Sequence, residues 1–169
     1  MSDRGTFWPA PPDWATARIT VPGVTISAGQ GGRGHWLLSG ERGAIDARIA
    51  TLGGVEAVLP IAPDRVMLVT QAGAGLEVGW HPSDLAISDL SQAFVTFDLR
   101  GPDTAAVLAM GSPSLALDAR PRAAALGFAG LTVLFQPLPH GARLYVDQSQ
   151  TTHLWQWFSA ALMNGKVRP

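Results

Sequence analysis

The stretch Phe94-Val-Thr-Phe-Asp-Leu-Arg100, followed at once by Gly101-Pro-Asp103 and Thr104-Ala-Ala-Val-Leu-Ala-Met110, decides the reading of the fold. From Ala93 to Arg100, the run is rich in aromatic and β-branched residues, whose propensity favours a strand. Gly101 breaks that strand. Pro102 has no N–H to donate and a fixed φ, both tolerated in the first turn of a helix, so a helix is expected from here to about Met110. Three further strands follow at Ala123–Phe128, Leu131–Gln136 and Arg143–Val146, the last two linked by the turn-forming run Pro137-Leu-Pro-His-Gly141. A last helix from about Gln150 to Met163 places Leu154, Phe158, Ala161 and Leu162 on one face, and Asn164-Gly165 supplies its stop.

Working upstream, the same order of elements recurs about 60 residues earlier. Val24–Ser27 reads as a short strand. The flexible loop Gly29-Gln-Gly-Gly-Arg-Gly34 then leads into a strand over His35–Ser39. From Gly43 to Leu52, the apolar residues Ala44, Ile45, Ala47, Ile49 and Leu52 recur at roughly helical spacing, and Gly53-Gly54 ends the run. Arg65–Thr70 and Leu76–Trp80 are strands joined across Gln71-Ala-Gly-Ala-Gly75, a connection that suits a hairpin. Strand-helix-strand-strand thus occurs twice. The expectation is an α+β fold of two similar split βαβ (ferredoxin-like) lobes with antiparallel sheets, residues 24–85 and 86–169, preceded by an extended arm over residues 1–23.

Composition constrains what such a fold can do. Hydrophobic residues make up 47% of the 169, while charged residues make up only 15%, and the formal net charge is -1. A domain that disperses on its own usually carries about 25% charge, so part of this surface is expected to be covered by a partner. Six Trp residues agree with that reading, because Trp is enriched among interface anchors. Phe7, Trp8 and Trp14 sit in a proline-rich arm, Phe7-Trp-Pro-Ala-Pro-Pro-Asp-Trp14, which cannot build a core of its own. Trp155 and Trp157 lie two apart on the last helix, so one face cannot hold both. These five residues are the candidate partner interface.

Chemistry is sparse by comparison. With no cysteine, disulfides, thiolate metal sites and a cysteine nucleophile are ruled out. Acidic and basic residues balance, with no Lys/Arg cluster, so the basic stripe that nucleic acid requires is missing. The glycine run Gly29–Gly34 is followed by a strand instead of a helix N-terminus and has no Lys after it, which reads as a turn and not a phosphate loop. His35, His81, His140 and His153 are widely scattered and lack metal-pair spacing. Ser83, Asp84, Asp89 and Ser91 fit capping and turn roles, with no nucleophile elbow around either serine. No catalytic, cofactor-binding or metal-binding residue is expected. Met1-Ser-Asp-Arg-Gly5 has no signal-peptide run, no window has the apolar length of a membrane span, and a cytoplasmic protein is expected.

Three segments carry a more specific resemblance. Ile87-Ser-Asp-Leu-Ser-Gln92, then Phe94 through Pro113, and the closing Leu144-Tyr-Val-Asp-Gln-Ser149 with His153-Leu-Trp-Gln-Trp-Phe158, are similar to the gamma subunit of heterotetrameric sarcosine oxidase. The likeness covers the second half from about residue 86 onward and the first half in outline. It implies the fold of the folate-binding domain of glycine-cleavage aminomethyltransferase, and partners that carry the cofactors. These would be a large alpha chain with NAD and a folate site, a beta chain with the flavins FAD and FMN, and a small zinc-binding delta chain. The gamma chain would be a structural subunit without a cofactor of its own, in a complex that oxidatively demethylates sarcosine or a related secondary amine. The sequence departs from the family pattern at Ser112-Pro113, where relatives have Cys-Pro, and at Arg120-Pro-Arg-Ala-Ala-Ala-Leu126, which leaves the amine open. Two alternatives remain. One is a free-standing folate-binding or aminomethyl-transferring protein, against which Gly111-Ser-Pro-Ser-Leu115 offers no carboxylate towards a folate; the other is an adaptor for an unrelated partner.

Overall fold

A computed structural model describes residues 10–29, 32–117 and 122–163. In chain order the strands and helices are β1 (Arg18–Val21), β2 (Val24–Gly29), β3 (Arg33–Gly40), α1 (Arg42–Ala50), β4 (Val55–Ala62), β5 (Arg65–Gln71), β6 (Gly79–His81), β7 (Leu85–Asp89), β8 (Phe94–Arg100), α2 (Thr104–Gly111), α3 (Pro113–Leu117), β9 (Ala124–Phe128), β10 (Leu131–Leu138), β11 (Gly141–Asp147) and α4 (Thr151–Met163). They build two sheets, β1-β2-β8-β11-β10-β9 and β4-β5-β3-β7-β6, and every pairing within them is antiparallel. The α+β class with two antiparallel sheets is as expected.

Strand pairing crosses both expected lobe boundaries. β2, placed with the first lobe by sequence, pairs with β8 and joins the six-stranded sheet. β7, which straddles residues 85 and 86, pairs with β3 in the five-stranded one. The five-stranded sheet has the split βαβ order, because β5 lies between β3 and β4 and is antiparallel to both. In the six-stranded sheet β11 stands between β8 and the β9–β10 hairpin. Two-residue connections explain this. Ala129-Gly130, both at positive φ, joins β9 to β10, and Pro139-His140 joins β10 to β11, so these strands have to be neighbours in a meander.

Three local expectations are corrected. The strand placed at Leu76–Trp80 is the shorter β6, and it pairs with β7 instead of forming a hairpin with β5, whose two edges are already held by β4 and β3. β4 was not anticipated because Pro60 interrupts its pattern; as the sheet's edge strand it tolerates the missing N–H. Helix α2 begins at Thr104, so Pro102 lies before it and not in its first turn. The cause is a close backbone crossing: a Cβ on Gly101 would lie 2.3 Å from the Gly23 carbonyl oxygen, and Asp103 donates its N–H to that same oxygen. The chain has to clear the β1–β2 turn before it can coil. Asn164-Gly165, the expected stop of α4, lies outside the described residues.

Packing gives four layers. On the outer face of the six-stranded sheet, Val95, Phe97, Leu99, Leu144 and Val146 meet Val107 and Leu108 of α2 and Leu154, Phe158 and Leu162 of α4. The outer face of the five-stranded sheet packs Trp36, Leu38, Val66, Leu68, Leu85 and Ile87 under Ile45 and Ile49 of α1. Between the sheets, Leu59, Met67 and Val69 meet Leu134 and Tyr145. Each fully buried side chain of this size contributes about 1.5 to 3 kcal/mol, so all three interfaces matter. No helix among the described residues is long and apolar enough to cross a membrane.

Candidate partner interface

Of the five aromatic residues singled out by sequence, Trp14 and Trp155 come together, and Trp157 packs separately on the same core. Helix α4 lays Trp155 against Phe97 of β8 with ring centroids 6.0 Å apart and an interplanar angle of 25°. Trp14 meets both edge-on, at 6.2 Å from Phe97 and 5.9 Å from Trp155. Two residues on, Trp157 packs edge-on against Phe128 at 5.2 Å and against Phe158 at 5.4 Å. Edge-on and offset contacts of this kind add to the area term because ring edges and faces carry opposite partial charge. Leu154, Phe158 and Leu162 take the buried stripe of α4, which leaves Trp155 and Trp157 half-buried on either side of it. Phe7 and Trp8 lie outside the described residues.

The placement of Trp14 changes the reading of the arm. β1, unanticipated in the sequence, pairs with β2 through the Pro22-Gly23 turn, with Gly23 at φ 82°. That hairpin anchors the chain four residues after Trp14, and Ala28 donates its N–H to Ala17 to extend the hold. Trp14 is carried over Phe97 and rests on its own core.

Two tryptophans lie outside that set, the buried Trp36 and the exposed Trp80. Trp80 is 71% exposed, and beside it Val78 is 58% exposed. Trp80 sits on β6, the edge of the five-stranded sheet opposite β4. Its only sequence signal is local: Gly79-Trp80-His81-Pro82 confines a large apolar side chain to a strand too short to bury it.

Polar side chains between the sheets are held in structural roles. Arg143 on β11 is 8% exposed and grips Asp98 of β8 with two hydrogen bonds, Nε to Oδ1 at 2.5 Å and Nη2 to Oδ2 at 2.7 Å. That carboxylate, more than burial opposes it, keeps the guanidinium charged. Tyr145 donates its hydroxyl to Gln136 Oε1 at 2.6 Å, and burial raises its pKa above the ordinary tyrosine value. His35 is 3% exposed, with Tyr145 edge-on at 5.5 Å and Phe94 at 6.3 Å, and neither ring nitrogen has a hydrogen-bond partner among the described residues. Burial, and then the charges of Arg33 and Arg143, push its pKa below the ordinary histidine value.

Ser91 donates its N–H to Asp89 Oδ1 at 2.8 Å, and its hydroxyl accepts from the His35 N–H at 3.1 Å. Ser83 and Asp84 are exposed, in the turn between β6 and β7. Gly32 leads directly into β3. Among the described residues no group of three His, Asp or Glu side chains is arranged to hold a metal.

No protein-family model matches the sequence, and no curated protein matches it. Solved structures do match. One is a chain of the heterotetrameric sarcosine oxidase from Corynebacterium sp. U-96, solved in complex with pyrrole 2-carboxylate. The superposition has a TM-score of 0.66 and 21% sequence identity and covers 86% of this chain and 87% of that one, so this chain has the fold of a component of that enzyme nearly end to end.

Proposed function

We propose that this chain is a non-catalytic structural subunit of a multi-subunit, flavin-dependent oxidase similar to heterotetrameric sarcosine oxidase, acting on sarcosine or a related secondary amine. The observation that carries this reading is the mutual coverage, 86% of one chain and 87% of the other. Two proteins that match over nearly their whole lengths share a whole fold, and not just a common motif. The half-buried Trp155 and Trp157, and the exposed Trp80 and Val78, supply apolar surface for such contacts. Phe7 and Trp8 on the arm would extend it. In this reading flavin, nicotinamide, folate and zinc are held by the larger and smaller partner chains, and the redox chemistry is theirs.

The test is co-expression of the tagged full chain with the chains encoded beside it. Co-elution with a partner that carries a flavin absorbance band, and its loss in a Trp155→Ala/Trp157→Ala variant that still folds, is the expected result. A chain that elutes as a monodisperse monomer, with the flavin protein assembling normally without it, would refute the proposal.

A further inference from the structure

At one end of the layer between the sheets lies a half-open cavity of about 380 Å³. Its floor is Leu134 and Tyr145, its walls include Ile61 and Phe94, and Thr132 and Asp147 stand at its mouth. The volume falls within the range of small-molecule pockets, about 300 to 1,000 Å³, and an apolar floor with few polar groups at the rim is their usual make-up. The rim carries one carboxylate, Asp147, which caps the turn ahead of α4. Asp147 Oδ1 accepts from the N–H and the hydroxyl of Ser149, at 2.8 and 2.6 Å, which leaves Oδ2 outside that turn. These hydrogen bonds hold the carboxyl below its ordinary pKa, so it is ionised at neutral pH. Asp147 takes part in none of the ion pairs among the described residues, while the arginines nearest this layer are already matched, Arg143 to Asp98 and Arg33 to Glu56.

We propose that this cavity binds a small organic cation, a protonated amine with an apolar or aromatic body, its ammonium at Asp147 and its body against Phe94, Ile61 and Leu134. An anion would meet a carboxylate at the mouth. A neutral apolar molecule would gain the walls alone, whereas a cation also gains the carboxylate and the aromatic rings, whose faces attract positive charge. The site is built within this one chain, so it does not rest on the assembly reading.

The experiment is a titration of the full chain with three probes of one shape, benzylammonium, benzyl alcohol and benzoate, followed by amide NMR shifts. The expected result is saturable shifts at Thr132, Asp147 and Ser149, with benzylammonium binding about three- to fivefold more tightly than benzyl alcohol, the scale of a half-open ion pair, and benzoate weakest. Asp147→Asn keeps an acceptor for Ser149 and should abolish the preference for the cation while leaving the alcohol unchanged. Ala125→Leu, which narrows the cavity, should weaken all three. Equal binding of cation and alcohol, an unchanged preference in Asp147→Asn, or no shift at these amides at about 10 mM probe would overturn the proposal.

Discussion

The two faces of the six-stranded sheet are built from the same strands by opposite means. Along β11 every residue from Ala142 to Val146 is buried, yet Ala142, Leu144 and Val146 point to the helices while Arg143 and Tyr145 point to the other sheet. The helix side is a continuous apolar and aromatic core, with Phe97 at its centre. The inner side contains a part-buried ion pair and a buried tyrosine with its glutamine, and faces His35 of the other sheet, whose ring nitrogens have no hydrogen-bond partner among the described residues. One face gains from area and shape, and the other has to satisfy what it buries. Substitutions on the first should therefore cost in proportion to volume, and on the second in proportion to what is left unpaired.

The largest effect is expected at Phe97, fully buried and in contact with Trp14, Trp155 and Phe158. Phe97→Ala should lower stability by about 3 to 5 kcal/mol in urea unfolding, the usual range for a core aromatic. A cost under 1 kcal/mol would mean that the aromatic set is not a packed core. Next is Asp98→Ala, which strands the Arg143 charge on the inner face and should cost about 2 to 3 kcal/mol. The double variant Asp98→Leu/Arg143→Met separates the two accounts, because it removes both charges and should recover most of that loss. If the double variant is as unstable as the single, the pair is more than a matched burial.

Trp14→Ala comes third, at about 1 to 2 kcal/mol, since a half-buried indole forfeits only part of its area. The measurement also decides what the arm is for. A shift in the melting temperature of the isolated chain marks Trp14 as part of the core, whereas an effect confined to assembly would return it to the interface.

These cases show what the sequence could and could not disclose. β8 and the α2 helix were legible because strand propensity, a glycine break and a helical run succeed one another within twenty residues. The final helix was legible from the spacing of Leu154, Phe158 and Leu162. β1 and β7 are four and five residues long and β4 contains Pro60, so each is too short or too interrupted to announce its period. The two tryptophans of α4 could be assigned to separate faces by helical geometry alone. Trp14 could not be placed without β1, and Trp80 could not be flagged without knowing that β6 is an edge. The cavity beyond the inner layer was out of reach, because Ile61, Phe94, Leu134 and Tyr145 belong to four strands that only the sheet order brings together.

The smallest effect is a dependence on pH, and it tests the inner face alone. His35 is neutral in the fold: burial, then Arg33 and Arg143, lower its pKa, and Asp89 only partly opposes them. The unfolded chain takes up a proton near the ordinary value of 6.5, while the folded chain refuses it until the pH is lower. Between those two values the unfolded state binds more protons, so stability rises with pH there; it is fully present above 6.5 and is lost as pH falls towards the folded value. One proton sets the limit, at most about 1.4 kcal/mol per pH unit. The lowered carboxyls of Asp89 and Asp147 act in the same direction near and below their ordinary value of 3.8, which leaves the window above pH 5 to the histidine. Urea unfolding of the full chain at pH 5.0, 6.0, 7.0 and 8.0 should show a decline only on the acid side, and His35→Leu should flatten it, since an aliphatic side chain asks for neither a proton nor a hydrogen bond between Phe94 and Tyr145. A slope that survives in His35→Leu would assign the effect to another group and leave the inner face no more sensitive to acid than the outer one.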